Sequence, residues 1–341
     1  MTNNILTISD LNVSFKGPQE KIVAVDNFSL EIKKGETVAI VGESGSGKST
    51  TALSILGLLP YPIAYHDRGS IKFNNKELLN ANDKTLQNVR GSKIGMIFQE
   101  PMMSLNPLHT VNKQIKEAIL IHKKLSVSKI NKRIIELINL VGLNDADKYL
   151  NSYPHQLSGG QRQRVMIAIA IANNPALLIA DEPTTALDVT IQIQILNLLK
   201  EIQTKLDMSI LLITHDLGIV KFMAKKVYIM HNAKLVEHGK VNKILKYPKN
   251  NYTKSLLSAQ PLSLKRNKNF KEGRNILSAK NIKVYFPIKK GLLKRTVDYT
   301  ESILVLHSMS AGFLSYIVQS EYKPKGIVLI EGNLIQDNEY L

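Results

Sequence analysis

The chain has 341 residues, of which 44% are hydrophobic, so it can form one large globular domain or two ordinary ones. It contains no cysteine, which excludes disulfide bonds, thiolate zinc sites and cysteine-ligated iron–sulfur clusters. The formal net charge of +17 is compatible with nucleic acid, an anionic membrane surface or an anionic small ligand. The lysines are dispersed without interleaved aromatic residues, so we favour a solvated basic surface and expect no nucleic-acid partner.

The N-terminus carries no signal-peptide pattern, because its first residues are polar and lead directly into a strand-like segment. The longest apolar stretches, Ser54–Ala64 and Met166–Ala172, are well short of the roughly 20 residues that a spanning helix needs. We therefore expect a chain that does not cross a membrane.

Strands and helices are predicted to alternate along the first 260 or so residues. Strand-like runs occur at Ile5–Ile8, Leu11–Phe15, Phe28–Ile32, Thr37–Val41, Ile71–Phe73 and Ile94–Phe98. Helical patterns follow at Ser49–Leu59 and across residues 100–157. Two later apolar runs, Ala176–Ala180 and Ile210–Thr214, are typical of buried parallel strands. The alternation predicts an α/β fold around a parallel sheet.

A glycine-rich loop joins the Thr37–Val41 strand to the next helix. It matches the pattern G-x-x-x-x-G-K-[ST] with Gly42, Glu43, Ser44, Gly45, Ser46, Gly47, Lys48 and Ser49, followed by Thr50. Glycines allow backbone N–H groups to surround phosphate oxygens, and the helix N-terminus adds partial positive charge. Lys48 is expected to reach the β- and γ-phosphates of a nucleotide, and Ser49 to hold Mg²⁺. A glycine turn that arose by chance would not be expected to lie between a predicted strand and a predicted helix. We therefore interpret the loop as phosphate-binding.

An acidic pair, Asp181 and Glu182, ends the Ala176–Ala180 strand. Asp181 can hold magnesium directly or through water, and Glu182 can polarise the water that attacks the γ-phosphate. An acidic pair alone is usually a solvated strand end. The interpretation therefore depends on the phosphate-binding loop in the same chain.

A second helix N-terminus suited to an anion is predicted at Ser158, Gly159, Gly160 and Gln161. Ser158 is a suitable N-cap, and the two glycines leave the start of the helix uncovered. With Leu157, these residues read L-S-G-G-Q, which resembles the signature of ATP-binding cassette (ABC) domains. The resemblance implies that they contact the γ-phosphate bound to the opposite subunit of a dimer.

Other residues match the motifs of ABC domains in the expected order. The resemblance assigns Gln99 to the Q-loop, which senses magnesium and couples to a permease, and Asp188 to the D-loop. It assigns His215 to the switch histidine that contacts the γ-phosphate. Phe15 is the candidate for the aromatic residue that stacks on adenine, although in isolation it would be placed in the core. The implied catalytic residues are Glu182, His215 and Gln99, and the implied magnesium ligands are Ser49, Gln99 and Asp181.

The resemblance covers about Ile5 to Pro261 and extends to one branch of the family. The segments Gln99–Pro107 and Tyr247–Leu257, the latter fitting P-x-x-x-Y-T-x-x-L-L, resemble the oligopeptide, dipeptide and nickel importers. The implied fold is an ABC nucleotide-binding domain with an antiparallel β edge and a helical subdomain at about 100–157. Some members of the branch carry a cysteine cluster near the tail, which this sequence lacks.

The implied function is that of an ATP-hydrolysing importer subunit, peripheral on the cytoplasmic face of the inner membrane. Its implied partners are transmembrane permease subunits, a second ABC subunit that is identical or different, and indirectly a solute-binding protein. Peptide is the favoured cargo, while glutathione, nickel and microcin-like compounds stay open. The implied ligands are ATP and Mg²⁺.

Residues 276–341 contain a partial internal repeat. Ile276–Phe286 matches Ile5–Phe15, and Pro287–Asp298 resembles importers with two cassettes in one chain, such as the Yej-type and glutathione importers. Lys325–Ile330 can be aligned less securely on Arg68–Phe73. No G-K-[ST] occurs between these landmarks, so we expect a loosely ordered, degenerate remnant of a second ABC domain, joined by a linker at 262–275.

Two other functions stay open at this point. A soluble ABC ATPase that acts on nucleic acid would suit the positive charge, but translation-type members have two complete cassettes and repair-type members carry zinc cysteines. A decayed, non-functional transporter subunit would account for the incomplete second module. We favour the importer ATPase over both.

Overall fold

The computed structural model describes residues 4–17, 20–99, 104–185 and 187–258, together with the backbone of three strands beyond residue 276. The chain divides into two units, residues 1–261 and 262–341, each with its own sheet. The strands of the first unit are β1 (Asn4–Lys16), β2 (Lys21–Lys33), β3 (Thr37–Val41), β4 (Ala64–Phe73), β5 (Lys76–Glu77), β6 (Ile94–Ile97), β7 (Leu177–Asp181), β8 (Ser209–Thr214), β9 (Lys226–His231) and β10 (Lys234–Lys240). Its described helices are α1 (Lys48–Ile55), α2 (Asp83–Val89), α3 (Val111–Leu120), α4 (Val127–Leu140), α5 (Ala146–Leu150), the 3₁₀ helix Pro154–Gln156, α6 (Gly159–Ala170), α7 (Val189–Leu206), α8 (Leu217–Met223), α9 (Val241–Lys246) and α10 (Asn251–Ser258).

The strands of the first unit form one sheet in the order β5-β4-β1-β2-β10-β9-β3-β8-β7-β6. The pairs β9–β3, β3–β8, β8–β7 and β7–β6 are parallel, whereas β1 pairs antiparallel with both β2 and β4. This confirms the predicted α/β fold with a parallel sheet and an antiparallel edge near the N-terminus.

The two predicted strands Ile5–Ile8 and Leu11–Phe15 are one continuous strand. The pairing of β1 with β2 shifts register between Ile8 and Leu11, and Asp10 between them has φ +47°. A β-bulge of this kind inserts an extra residue without ending the ladder. The polar residues that predicted a break therefore mark a bulge.

Two hydrophobic cores lie on opposite faces of the sheet. Side chains alternate along a strand, so β3 sends Ala39 and Val41 to one core and Val38 and Ile40 to the other. The first core is completed largely by helices, through residues such as Ile115 of α3, Ile134 of α4 and Val165 of α6. The second is completed by α1 and the antiparallel strands, through residues such as Ile55, Phe28 and Leu6. Because β3, β7 and β8 are covered on both faces, all their residues are buried.

The predicted helical segment at about 100–157 contains α3, α4, α5 and the 3₁₀ helix, while residues 100–103 lie outside the described residues. Helix α3 begins after Thr110, whose hydroxyl accepts a hydrogen bond from the Lys113 N–H. On α4, Ile130, Ile134, Leu137 and Ile138 recur at helical spacing and are buried. These four residues form the apolar stripe by which α4 packs into the first core.

The second unit contains an antiparallel sheet of three described strands. These are β11 (Leu277–Lys290), β12 (Arg295–Ile303) and β13 (Leu329–Gln336), in the order β12-β11-β13. The long strand β11 lies between the other two and pairs with both. The predicted linker at 262–275 lies outside the described residues.

Truncation of Phe28 is expected to test the second core. The Phe28 side chain is fully buried, so Phe28→Ala leaves a cavity and should lower the free energy of unfolding by about 3–5 kcal/mol. The matched control is Leu108→Ala, because Leu108 is 81% exposed, and it should change that free energy by less than about 0.5 kcal/mol. Urea unfolding followed by circular dichroism measures both. Equal losses in the two variants would contradict the placement of Phe28.

Candidate nucleotide-binding site

The glycine-rich loop is pressed against the backbones of two strands. A Cβ on Gly47 would lie 2.3 Å from the carbonyl oxygen of Ala24 in β2, and Gly47 has φ +100°. A Cβ on Gly42 would lie 2.2 Å from the carbonyl oxygen of Met230 in β9. Any larger residue at these two positions would displace the loop. A Cβ on Gly45, by contrast, would meet no described atom within 4 Å, so this part of the loop faces open space.

The Lys48 ammonium is held inside the loop by two carbonyl groups. Its Nζ donates to the oxygen of Gly42 at 2.8 Å and to that of Glu43 at 2.7 Å. Burial lowers the pKa of Lys48, and the nearby carboxylates of Glu182 and Asp181 raise it, with a net pKa below the ordinary value. The positive charge is therefore buried among the loop's own oxygens.

Sheet pairing brings the ends of three parallel strands to one edge. Both β3 and β7 pair with β8, with Val41 opposite Thr214 and Asp181 opposite Ile213. The residues that follow these strands are thus neighbours, although they are far apart in the chain. Gly42, Glu182 and His215 are those residues.

Asp181 faces the start of α1. Its Oδ1 accepts a hydrogen bond of 3.2 Å from the Ser49 hydroxyl. Asp181 is 5% exposed, and burial raises the pKa of its carboxyl group, while the hydrogen bond from Ser49 opposes that shift. A partly buried hydroxyl–carboxylate pair therefore lies beside the phosphate-binding loop.

Glu182 accepts hydrogen bonds from three parts of the site. Gln99 Nε2 lies 3.2 Å from Oε2, Thr185 Oγ1 donates to the same oxygen at 2.9 Å, and His215 Nδ1 lies 3.1 Å from Oε1. Its backbone is at φ +46°, and its N–H donates to the Ile213 carbonyl. Burial raises the pKa of Glu182, but the hydrogen bonds from His215 and Thr185 lower it, and the net pKa is below the ordinary value. The group is therefore held as a carboxylate.

The structure thus brings together the predicted catalytic residues, since Gln99 and His215 both contact Glu182. Thr185 was missed in the sequence analysis. It follows Glu182 by three residues in a turn closed by a hydrogen bond from its own N–H to the Glu182 carbonyl. A hydroxyl residue at this spacing after an acidic strand end was the available signal.

The predicted signature residues form a capping box at the start of α6. The Ser158 hydroxyl accepts from the Gln161 N–H at 3.3 Å, and the Ser158 N–H donates to Gln161 Oε1 at 2.9 Å. Gly160 lies against α7, where a Cβ would be 2.8 Å from Ile191 Cγ2. These hydrogen bonds stay within the first turn, and Ser158 and Gly159 are exposed.

Asp188 and Phe15 have local structural partners. The Asp188 carboxylate caps α7 by accepting from the Ile191 N–H at 3.0 Å. Phe15 is half-buried on β1, paired with Ile22 and Ala64, and packs against the second core. Ala186, two residues before Asp188, lies outside the described residues. Contacts of Asp188 and Phe15 with nucleotide stay predictions.

The residues present fit a phosphate group and a magnesium ion. The Ser46 hydroxyl is buried in the loop without a hydrogen-bond partner among the described residues, and Lys48 supplies the positive charge. Ser49 and Asp181 offer the oxygen ligands that Mg²⁺ prefers. Within the described part of the chain, no three His, Cys, Asp or Glu side chains cluster as a metal site. A magnesium ion held by one carboxylate, a hydroxyl and substrate phosphates does not need such a cluster.

Known proteins share this sequence and fold. The sequence profile described as ABC transporter matches residues 25–185. The peptidoglycan transport ATP-binding protein YejF of Agrobacterium fabrum is 49% identical over 302 residues, which cover 89% of this chain and 55% of that protein. The oligopeptide transport ATP-binding protein OppD of Bacillus subtilis is 51% identical over 257 residues, which cover 75% of this chain and 72% of that protein. The ATP-binding cassette MJ0796, in a dimeric post-hydrolysis state bound to ADP and Pi, superimposes with a TM-score of 0.62 at 32% identity, covering 69% of this chain and 98% of that one.

The chain belongs to the ABC transporter family, among its ATP-binding proteins. This confirms the family and the fold predicted from the signature and the phosphate-binding loop. The chain spans about half the length of YejF, at 55%.

Replacement of Lys48 is expected to weaken nucleotide binding. Lys48→Ala removes the buried ammonium from the loop, and the loss of a charge-assisted contact with phosphate should weaken ATP binding by at least about 10-fold. The control is Lys129→Ala on the exposed side of α4, which makes the same change of charge and should bind ATP like the unmodified chain. Titration with a fluorescent ATP analogue measures both. Undiminished binding by Lys48→Ala would refute the assignment of the loop.

Proposed function

We propose that this chain is the ATP-binding and ATP-hydrolysing subunit of an importer, with peptides as the transported class. The observation that carries the proposal is the Glu182 carboxylate. It is oriented by Gln99, Thr185 and His215, next to the Ser49–Asp181 pair and the phosphate-binding loop. Each of these residues has a part in phosphoryl transfer to water.

In the proposed reaction, Lys48 and the loop N–H groups bind the phosphates of ATP. Ser49 and Asp181 would hold Mg²⁺, with Gln99 as a further ligand. The ion neutralises negative charge on the phosphates when it is bound. Glu182 accepts a proton from the water that attacks the γ-phosphorus, which releases phosphate and ADP. His215 and Thr185 keep the Glu182 carboxylate in the orientation that this proton transfer requires.

A dimer would complete the site. The start of α6 is exposed at Ser158 and Gly159, the two capping-box hydrogen bonds stay within its first turn, and the Gln161 amide also contacts the Tyr149 hydroxyl. Its exposed N-terminus is suited to binding an anion. The related cassette MJ0796 forms a dimer in its ADP-bound state. We therefore infer that Ser158, Gly159, Gly160 and Gln161 face nucleotide bound to a second ABC subunit, identical or different.

The proposal of transport rests on the relatives. YejF and OppD are named as transport ATP-binding proteins for peptidoglycan and oligopeptides. No helix in the described ranges is long and apolar enough to span a bilayer. Large apolar side chains are nevertheless exposed in and around the helical segment, including Leu108, Ile121 and Val127. This surface suits contact with transmembrane permease subunits at the cytoplasmic face of the membrane, with a solute-binding protein acting indirectly.

The second unit is proposed to correspond to the opening strands of a second cassette. Its strand order β12-β11-β13 matches the order β2-β1-β4 of the first unit, with the first strand in the centre and both pairs antiparallel. The alignment with YejF also runs to 302 residues, compared with 257 for OppD. No G-K-[ST] occurs between Val297 and Gln319, so this segment is expected to supply no phosphate-binding loop.

Neutralising Glu182 is expected to separate binding from hydrolysis. Glu182→Gln keeps the size of the side chain but removes the proton acceptor, so turnover should fall at least ~100-fold while ATP still binds. ATP should then hold the closed dimer, which gel filtration detects. The control Glu201→Gln, on the exposed face of α7, should hydrolyse ATP normally. Continued hydrolysis by Glu182→Gln with no dimer would show that Glu182 is not the base.

Removal of the second unit is expected to leave the reaction intact. Every residue assigned to the site lies before Pro261, so a chain ending there should keep the ATPase activity of the full chain. In the full chain, limited proteolysis should cut first between Leu262 and Asn275. Steady-state phosphate release and mass spectrometry of the fragments measure these outcomes. Loss of activity on truncation would show that residues 262–341 are needed by the first unit.

A further inference from the structure

The tail segment Tyr247–Leu257 has no part in the reaction described above, yet it is firmly attached to the sheet. The Glu237 carboxylate on β10 accepts hydrogen bonds from the N–H groups of Lys249 at 2.9 Å and Asn250 at 3.1 Å. The Asn250 side chain accepts in turn from the Tyr252 N–H at 2.8 Å. These bonds fix where α10 begins and hence where the Tyr252 side chain points.

Tyr252 extends from α10 to the phosphate-binding loop. Its ring stacks on His231, the last residue of β9, with the centroids 3.9 Å apart and the planes at 22°. Its hydroxyl oxygen accepts a hydrogen bond of 3.2 Å from the Glu43 N–H. Tyr252 therefore joins the end of β9 to the second residue of the loop, 209 positions away in sequence.

The peptide unit that Tyr252 holds is also the one that holds Lys48. A peptide bond is planar, and the Glu43 N–H and the Gly42 carbonyl belong to the same trans unit and point in opposite directions. Tyr252 accepts from the N–H on one side, and Lys48 Nζ donates to the carbonyl on the other side at 2.8 Å. The next carbonyl, that of Glu43, also accepts from Lys48, at 2.7 Å. The orientation of this peptide plane therefore sets the direction of the Gly42 carbonyl, which accepts a hydrogen bond from Lys48.

We propose that Tyr252 is a positioning residue for the phosphate-binding loop. By holding the Gly42–Glu43 peptide plane, it presents the Gly42 carbonyl to Lys48 and so preorganises the lysine for the phosphates of a nucleoside triphosphate. The inference rests on the proposed function for the identity of the ligand. The stack on His231 fixes the position of the Tyr252 ring, and the hydroxyl is the group of Tyr252 that contacts the loop.

The experiment compares Tyr252→Phe with the unmodified full-length chain. The phenylalanine ring retains the stack on His231 and loses the hydroxyl. Without nucleotide, the Glu43 amide should exchange its hydrogen faster, because its acceptor is gone. With ATP, the dissociation constant and KM should rise about three- to tenfold, as expected when the hydroxyl's hydrogen bonding to Glu43 is lost, with little change in kcat. The thermal midpoint should stay close to that of the unmodified chain.

The matched control is Tyr247→Phe in the same tail. Tyr247 is 65% exposed, so loss of its hydroxyl should alter neither Glu43 exchange nor ATP affinity. Unchanged ATP affinity in Tyr252→Phe would overturn the inference, whether or not stability falls, because it would leave Tyr252 as an anchor for α10 alone. If the unmodified chain fails to bind ATP, the proposed function fails. The exchange of the Glu43 amide in the nucleotide-free chain then decides by itself whether Tyr252 positions the loop.

Discussion

Parallel pairing of β3, β7 and β8 constrains everything else in the site. The register places Val41 opposite Thr214 and Asp181 opposite Ile213, so the residues that follow these strands leave the sheet side by side. The loop beginning at Gly42, the carboxylate of Glu182 and the imidazole of His215 meet for this reason. Strands buried on both faces hold that register firmly, since a slip of one residue would exchange the two cores.

Opposite charges are concentrated at this edge of the sheet. Lys48 and Asp181 are both buried. Burial lowers the pKa of Lys48 and raises the pKa of Asp181, which favours the neutral form of each. Glu182 is held ionised by its hydrogen bonds, in a left-handed backbone conformation that costs about 1–3 kcal/mol for a residue other than glycine. Such an arrangement lowers stability, and shifted pKa values of this kind are concentrated at functional sites.

The loop also depends on contacts outside the phosphate-binding pattern. Gly42 and Gly47 press it against Met230 and Ala24, so the floor of the loop is set by β9 and β2. Tyr252 then approaches from α10 and holds the outer side of the same loop through Glu43. The exposed start of α6, by comparison, is held by a capping box formed between Ser158 and Gln161.

Local patterns in the sequence determined much of this protein. Hydrophobic runs predicted the buried strands β3, β7 and β8, helical spacing predicted α4, and the loop and signature motifs identified the family. Those inferences succeed because they depend on residues adjacent in the chain or one helical turn apart. The prediction of two separate strands on either side of Asp10 was wrong, because the polar residues there form a bulge within one strand. Whether a strand continues depends on its pairing partners.

Only the tertiary structure decided which side chains meet. The three donors to Glu182 come from positions after β6, after β7 and after β8, and only Thr185 is close enough in the chain for a local pattern to indicate it. Tyr252 and Glu43, which are also in contact, lie 209 positions apart in the sequence. Such hydrogen bonds act over about 3 Å, so they depend on strand order and register, which the packing of the entire sheet sets.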